Sequence, residues 1–353
     1  MSLDLEIGLL GLGGTTGGVL EDSNTGPVTV GNGVTVNGGL NSLLGGLVGT
    51  PLSPKLLGAG IASETAGASL TNAGNIIGSG VLAPALGLGN SAASGVLMQL
   101  GGTVLNQSGA TISGPLDGVI THGVSSVTNL GTITASAADG IGINLRDGGV
   151  VVNAGIVSGS AGANPAVAIN LGAGGSTLTL SAGEILHGIA RAAGTHNTLN
   201  LAAGSGINTI EDLGTTLTGF DAVDVASGVT AAINNGITGV LSDPTTVMLG
   251  TGSTLSVGGP VSAGVSLDLT GAGASLTLNG PVAAGASVDL GAQMPRSVSA
   301  ILATLRAVSL ISGLMTRSIF KACRPWQPPR LIQLRVLSTF RLAASYRASF
   351  QLR

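Results

Sequence analysis

The chain has 353 residues, of which 61 are glycine, 44% are hydrophobic and only 8% are charged, and its formal net charge is −3. The high hydrophobic content argues against simple disorder, and the lack of a strict Gly-X-Y period excludes collagen. Before residue 293 no stretch of about 18 apolar residues is free of frequent glycine, so the sequence predicts no transmembrane helix there.

The first 24 residues begin MSLDLEIGLLGLGG, with no basic region ahead of a clean apolar core. This pattern is not that of a recognisable signal peptide. We predict an irregular N-terminal cap over 1–24, followed by a repeat domain over 25–292.

A first family of repeats shares one pattern, in which an apolar residue precedes an Asn and then a Gly and an Ile or Val follow. Its members are SLTNAGNIIGSG (69–80), TVLNQSGATISG (103–114), SVTNLGTITAS (126–136) and VVVNAGIVSGS (150–160). Their anchors, spaced by 34, 23 and 24 residues, are Asn72, Asn106, Asn129 and Asn153. Asn at one repeated position predicts a stacked ladder of amide groups.

The segments between and after these repeats read as further short strands. In STLTLS (176–181), Leu178 and Leu180 alternate with Thr177 and Thr179, which is the period of a half-buried strand. A second family, GSTLSVGGPVSAGVSLDL (252–269) and GASLTLNGPVAAGASVDL (273–290), repeats at an offset of 21 residues.

These short strands end at Gly, Asn or Asp, which allow tight turns. One such unit cannot bury its apolar face alone, but stacked units bury a continuous core. Glycine is too dense for helical repeats. We therefore predict an all-β, right-handed parallel β-helix over 25–292, with about a dozen coils spaced by roughly 4.8 Å and a length of about 60 Å.

The repeats VTNLGTITAS, VVNAGIVSG and VLNQSGATISG, with GGSTLTLSAGEILHGIARAAGTHNTLNL and GFDAVDVASG, resemble passenger regions of bacterial autotransporters. The resemblance covers about residues 65–290. It implies a secreted or cell-surface, outer-membrane-associated β-helix that acts in virulence as an adhesin or a self-association module. The implied partners are a host surface or matrix, other bacterial cells or further copies, and not nucleic acid. Export by this route implies a signal peptide and a membrane β-barrel, neither of which we recognise in the sequence.

Few residues suggest chemistry. His122, His187 and His196 each lie beside Gly or Thr, and we interpret them as solvated turn residues. Asn197 takes the carboxylate position of a calcium-binding repeat, which argues against calcium.

Asp268 and Asp289 occupy equivalent repeat positions, so direct stacking predicts two outward carboxylates about 5 Å apart. We favour two solvated acids over a cation site there.

A polysaccharide-active β-helix enzyme, a lyase or hydrolase, is the alternative function. It would need acids clustered across coils, with a basic residue in a lyase. The candidates are Glu211, Asp212, Asp221, Asp224, Arg146 and Arg191. Arg146 and Asp147 are more simply a turn ion pair, and Phe220 is the sole aromatic residue before 293. We predict no enzyme and assign no catalytic, cofactor or metal residue.

Residues 293–353 differ in composition from the rest. They hold nine Arg, one Lys and no acid, whereas residues 1–292 hold 16 acids and three basic residues. A basic amphipathic helix over 297–315 and a nucleic-acid-binding arm are two interpretations. We favour a third, in which a shifted reading frame has replaced further repeats with a non-homologous tail, helical or disordered. A frameshifted gene with a non-functional product is a further alternative for the whole chain.

Overall fold

The computed structural model describes residues 27–38, 59–78, 93–238 and 245–290, and the backbone of four further strands at 15–17, 297–300, 309–311 and 335–336. All regular elements in these residues are β-strands, and all their strand pairs are parallel. The predicted all-β parallel solenoid is therefore confirmed. We number the strands β1 to β32 in chain order.

The strands form four sheets. Sheet 1 contains β2 (Val28–Val30), β5 (Ala68–Asn72), β8 (Gly102–Asn106), β11 (Ser125–Asn129), β14 (Gly149–Asn153), β17 (Thr177–Ser181), β20 (Thr198–Ala202), β23 (Ala222–Val225), β25 (Thr246–Leu249), β27 (Ser266–Asp268), β29 (Ser287–Asp289) and β31 (Ser309–Ile311). Sheet 2 contains β1 (Thr15–Gly17), β3 (Thr35–Gly38), β6 (Asn75–Gly78), β9 (Thr111–Gly114), β12 (Thr132–Ala135), β15 (Ile156–Ser158) and β18 (Ile185–His187). Sheet 3 contains β4 (Ile61–Ser63), β7 (Ser94–Met98), β10 (Asp117–Thr121), β13 (Ile141–Leu145), β16 (Val167–Leu171), β19 (Ile189–Ala192) and β22 (Leu217–Thr218). Sheet 4 contains β21 (Asn208–Ile210), β24 (Thr230–Ile233), β26 (Thr254–Val257), β28 (Ser275–Leu278), β30 (Ser297–Ala300) and β32 (Arg335–Val336).

The path of the coil changes along the chain. Between residues 102 and 192, each coil places one strand in sheet 1, the next in sheet 2 and the third in sheet 3. From β24 onwards, sheet 4 follows sheet 1, and the third side is reduced to single bridges that join Ile237 to Val261 and Val261 to Val282. Each coil therefore contributes two or three strands.

Alternating side chains build the core. In β17, Leu178 and Leu180 are buried whereas Thr177 and Thr179 are half-buried, as the sequence predicts. One inward column of sheet 1 runs in register through Val104, Val127, Val151, Leu178, Leu199, Val223, Val247, Leu267 and Val288. All of these residues belong to a single buried cluster, which also holds Phe220 at 0% exposure. Stacking therefore gives each coil the apolar contacts that it lacks alone.

Glycine is required where coils approach closely. Gly149 opens β14 with φ of +133°, and a Cβ there would overlap the carbonyl oxygen of Ser125 in the preceding coil. Gly219 has φ of +80°, and a Cβ there would overlap the carbonyl oxygen of Ala192. Both the backbone angle and the spacing of coils therefore exclude a side chain at these positions.

The predicted asparagine ladder is present inside sheet 1. Asn72 Nδ2 donates to Asn106 Oδ1 at 2.8 Å, Asn106 Nδ2 to Asn129 Oδ1 at 2.9 Å, and Asn129 Nδ2 to Asn153 Oδ1 at 2.8 Å. All four residues are fully buried. Backbone carbonyl oxygens of the turns accept further amide bonds, so the buried side chains are satisfied.

Aliphatic residues continue this column at both ends. Val30 pairs with Asn72, and Leu180 pairs with Asn153. The ladder therefore occupies only the four coils of the first repeat family, and the same position becomes apolar in the second half.

The sequence predicts about a dozen coils, and sheet 1 contains twelve strands. Ten of these strands, β5 to β29, lie between residues 68 and 289. Their nine steps span about 43 Å at roughly 4.8 Å each. The predicted right-handed winding stays a prediction. Most of the predicted cap over 1–24 and of the tail over 293–353 lies outside the described residues. Within the helix considered over 297–315, the two described pieces, β30 and β31, are strands.

Candidate interaction face

A second polar chain, of hydrogen-bonded side chains, runs along sheet 3, and the sequence did not predict it. Asn144 Nδ2 donates to Asp117 Oδ1 at 3.0 Å, Asn170 Nδ2 donates to Asn144 Oδ1 at 2.9 Å, and Arg191 Nε donates to Asn170 Oδ1 at 2.7 Å. The repeated tripeptide INL at 143–145 and 169–171 was the available signal, because it places Asn144 and Asn170 in register.

Asp117 ends this chain as a buried carboxyl group, with 6% of its surface exposed. Burial raises the pKa of Asp117 to about 6, although the hydrogen bond from Asn144 and the charge of Arg146 act in the opposite direction. The polar chain of sheet 3 thus joins a buried acid to an exposed arginine across four coils. Its two amides are hydrogen-bonded to each other and to the charged residues at the two ends.

The three histidines differ in their surroundings. His196 lies in a turn with φ of +64° and is exposed, as predicted. His187 is exposed but ends a strand, so the turn prediction is wrong there. His122 follows β10, and its Nε2 is buried without a hydrogen-bond partner among the described residues, so the solvated interpretation is wrong for it. Burial and nearby Arg146 lower the pKa of His122, whereas Asp147 opposes them.

Two of the acids considered for an enzyme, Glu211 and Asp212, accept hydrogen bonds from the protein's own side chains. Glu211 accepts hydrogen bonds from the amides of Asn234 and Asn235. Asp212 accepts from the hydroxyls of Thr215 and Thr238, both at 2.8 Å. These carboxylates therefore tie one coil to the next, because 23 to 26 residues separate them from Asn234, Asn235 and Thr238.

The remaining candidates for an enzyme lie on different sides of the coil. Asp221 accepts from the backbone N–H of Asn197 at 2.8 Å, and Asp224 faces outward from sheet 1. Arg191 lies on sheet 3, in register with Asn170. Arg146 lies in the predicted turn beside Asp147, whose carboxylate accepts a hydrogen bond from the backbone N–H of Gly123. The structure does not bring Asp224 and Arg191 to one sheet.

Asn197 has a structural role. It is fully buried, its Oδ1 accepts from the backbone N–H of Ser176 at 3.0 Å, and its Nδ2 donates to backbone carbonyl oxygens, including that of Gly219. The amide therefore closes a turn and links neighbouring coils. No group of three or more His, Cys, Asp or Glu in the described residues is arranged to hold a metal ion.

Asp268 and Asp289 pair in register, which confirms that their repeats stack directly. Their adjacent strands place the two Cα atoms about 4.8 Å apart. Burial raises the pKa of Asp268, and the charge of Asp289 raises it further. One oxygen of Asp268 is buried without a hydrogen-bond partner among the described residues, so a fully solvated acid is the wrong interpretation there.

The outer face of sheet 1 is the most extensive regular surface that these strands form. Over ten strands it carries two columns of side chains in register. Column a is Ser69, Thr103, Ser126, Val150, Thr177, Thr198, Ala222, Thr246, Ser266 and Ser287. Column b is Thr71, Leu105, Thr128, Val152, Thr179, Asn200, Asp224, Met248, Asp268 and Asp289. All of these residues are half-buried or exposed.

Two large apolar side chains on this face are notably exposed, Val150 at 40% and Met248 at 36%. Eight of the ten residues in column a are Ser or Thr. The face therefore combines small hydroxyl groups with scattered apolar contacts on a sheet in continuous register, which suits an extended partner better than a small molecule held in a concave pocket.

The geometry places the chain in the class of parallel β-solenoids. No family model, curated protein or solved structure that was compared with the chain matches it. The described part of the chain contains no helix long and apolar enough to cross a membrane.

Proposed function

We propose that the chain is a non-enzymatic, surface-displayed or secreted β-helical passenger fragment of the autotransporter type, and that it mediates adhesion or self-association. The observation that supports this proposal most directly is the outer face of sheet 1, with its two uninterrupted columns over ten strands. Such a face offers many weak contacts in a fixed geometry, and their sum is what holds an extended surface.

The use of the polar groups supports the same proposal. The asparagine ladder, the Asp117–Arg191 chain and the carboxylates of Glu211 and Asp212 all bond between coils. A hydrolase or lyase needs acids that converge on a substrate instead. The proposed partners are a host surface or matrix, other bacterial cells and further copies of the chain, and the proposed location is the cell surface.

Binding and turnover measurements on the full chain test this proposal. We expect saturable binding to immobilised matrix proteins or concentration-dependent association in sedimentation experiments, and no release of sugar products from acidic polysaccharides. Thr179→Glu, on the outer face of sheet 1, should weaken binding, whereas Thr134→Glu, on sheet 2, should not. Release of unsaturated or reducing sugars by the wild-type chain would favour the enzyme, and monomeric, non-binding protein would reject the proposal.

A further inference from the structure

The outer face of sheet 1 is electrostatically asymmetric along the solenoid axis. From β5 to β20, neither column holds a charged residue. From β23 to β29, column b holds Asp224, Asp268 and Asp289, and neither column holds a base. The face thus has a neutral half rich in hydroxyl groups and an acidic half.

The size of this face matches what a stable protein–protein interface requires. Ten strands at roughly 4.8 Å spacing and about 13–17 Å of strand length give roughly 600–800 Å². Standard interfaces bury about 800 Å² on each partner, whereas crystal-packing contacts are mostly smaller. Two partners must therefore overlap over most of the face, because a contact limited to one half would bury less area than a standard interface.

The direction of pairing follows from the asymmetry. Two copies that overlap in the same direction would place the acidic half against itself, and opposed like charges destabilise an interface. Two copies that overlap in opposite directions would place each acidic half against a neutral half. Ser and Thr hydroxyls there can donate to carboxylates, and hydrogen bonds to an ionised acceptor are the stronger kind.

We propose that the partner is a second copy of this chain, which pairs face to face through sheet 1 in the opposite direction, so that the neutral half of each copy covers the acidic half of the other. This inference rests on the proposed self-association and adds its surface and its direction. The pair has a two-fold axis across the face and closes as a dimer, since each copy uses the same surface.

Thr128→Lys in the full chain tests the direction of pairing. Thr128 faces outward in the neutral half, between Leu105 and Val152, so the lysine stem can lie along the sheet. In the antiparallel dimer, each new ammonium group meets acids of the other copy. Two exposed ion pairs should then tighten the dimer by roughly two- to thirtyfold in Kd at low salt. In a parallel dimer, lysine would face lysine and the dimer would weaken.

Thr134→Lys is the matched control, because it adds the same charge on the outer face of sheet 2. Sedimentation equilibrium at low and high salt should show tightening for Thr128→Lys alone, and high salt should remove it. Equal effects of both variants, or a weaker Thr128→Lys dimer, would overturn the proposed direction while leaving self-association intact. Monomers at every concentration would reject self-association as well.

A second measurement does not depend on added charge. In a Cys323→Ser background, pyrene is attached to Ser69→Cys or to Ser287→Cys, at the two ends of column a. The ends are separated by about 43 Å. Antiparallel pairing should give excimer fluorescence only when the two labelled chains are mixed. Excimer fluorescence from either labelled chain alone would establish parallel pairing and overturn the inference.

Discussion

Replacing Asn129 with leucine tests whether the asparagine ladder stabilises the solenoid. Asn129 accepts from Asn106 Nδ2 and donates to Asn153 Oδ1 and to the carbonyl oxygen of Ile156. The substitution removes all three bonds inside a fully buried column. Leucine is the natural control residue, because Leu180 occupies this same column two coils further on.

The expected loss can be worked out from these contacts. Each net hydrogen bond contributes about 0.5–1.5 kcal/mol, so the three bonds together contribute about 1.5–4.5 kcal/mol. The added apolar burial offsets about 1–2 kcal/mol. We expect Asn129→Leu to lower the free energy of unfolding by about 1–3 kcal/mol. Asn153→Leu breaks one inter-coil bond and two longer bonds, both at 3.3 Å, to the backbone of Gly155, and the new side chain packs next to Leu180, so this variant should cost less, about 1 kcal/mol.

Urea unfolding followed by far-ultraviolet circular dichroism measures both variants. The midpoint of Asn129→Leu should be clearly lower than that of Asn153→Leu. The slope of the free energy of unfolding against urea concentration serves as a check, because a smaller slope would mean that the solenoid unfolds in separate parts. If the two variants were equally stable, or if Asn129→Leu were the more stable, the ladder would not be a source of stability and the reasoning would fail.

Three further predictions concern single buried or paired groups. Thr121→Val should raise the urea midpoint and stabilise the fold by about 1 kcal/mol, because Thr121 Oγ1 is buried without a partner among the described residues. Asp117 has its pKa raised to about 6, so the folded state holds a proton that the unfolded state has released; stability should fall as pH rises from about 4 to 6. Asp117→Asn should flatten that dependence in pH-resolved unfolding, and an unchanged slope would contradict the assignment. Asp268→Asn should raise the unfolding midpoint slightly at pH 7, since it removes a partly buried charge beside Asp289, and a lower midpoint would contradict this.

The regular features of the sheet-1 repeats could be predicted from the sequence. Asn72, Asn106 and Asn129 recur within a constant local pattern, and each pattern fixes which side chains face inward. The pairing of Asp268 with Asp289 follows from the same reasoning, because their repeats match without a gap. Strand alternation together with a recurring motif or a gap-free repeat is therefore enough to predict register.

Sheet 3 could not be predicted in the same way. The connection from sheet 2 to sheet 3 is two residues long at 115–116 but eight residues long at 159–166, so equivalent positions cannot be found by counting. The polar chain of hydrogen-bonded side chains from Asp117 to Arg191 could not be predicted for this reason. The prediction of a solvated His122 failed because the burial of its Nε2 depends on neighbouring coils, which local sequence does not reveal.

The three amide-to-amide bonds of the ladder all run in one sense along the axis, from an asparagine to its counterpart in the following coil. Each asparagine of this block can therefore take the place of its neighbour, because the same amide can accept from the preceding coil and donate to the following one. Recombination between these repeats can add or delete a whole coil and keep the order of donors and acceptors, whereas an exchange that placed leucine within the block would interrupt it. The gene can thus vary the length of the rod most safely within its first half.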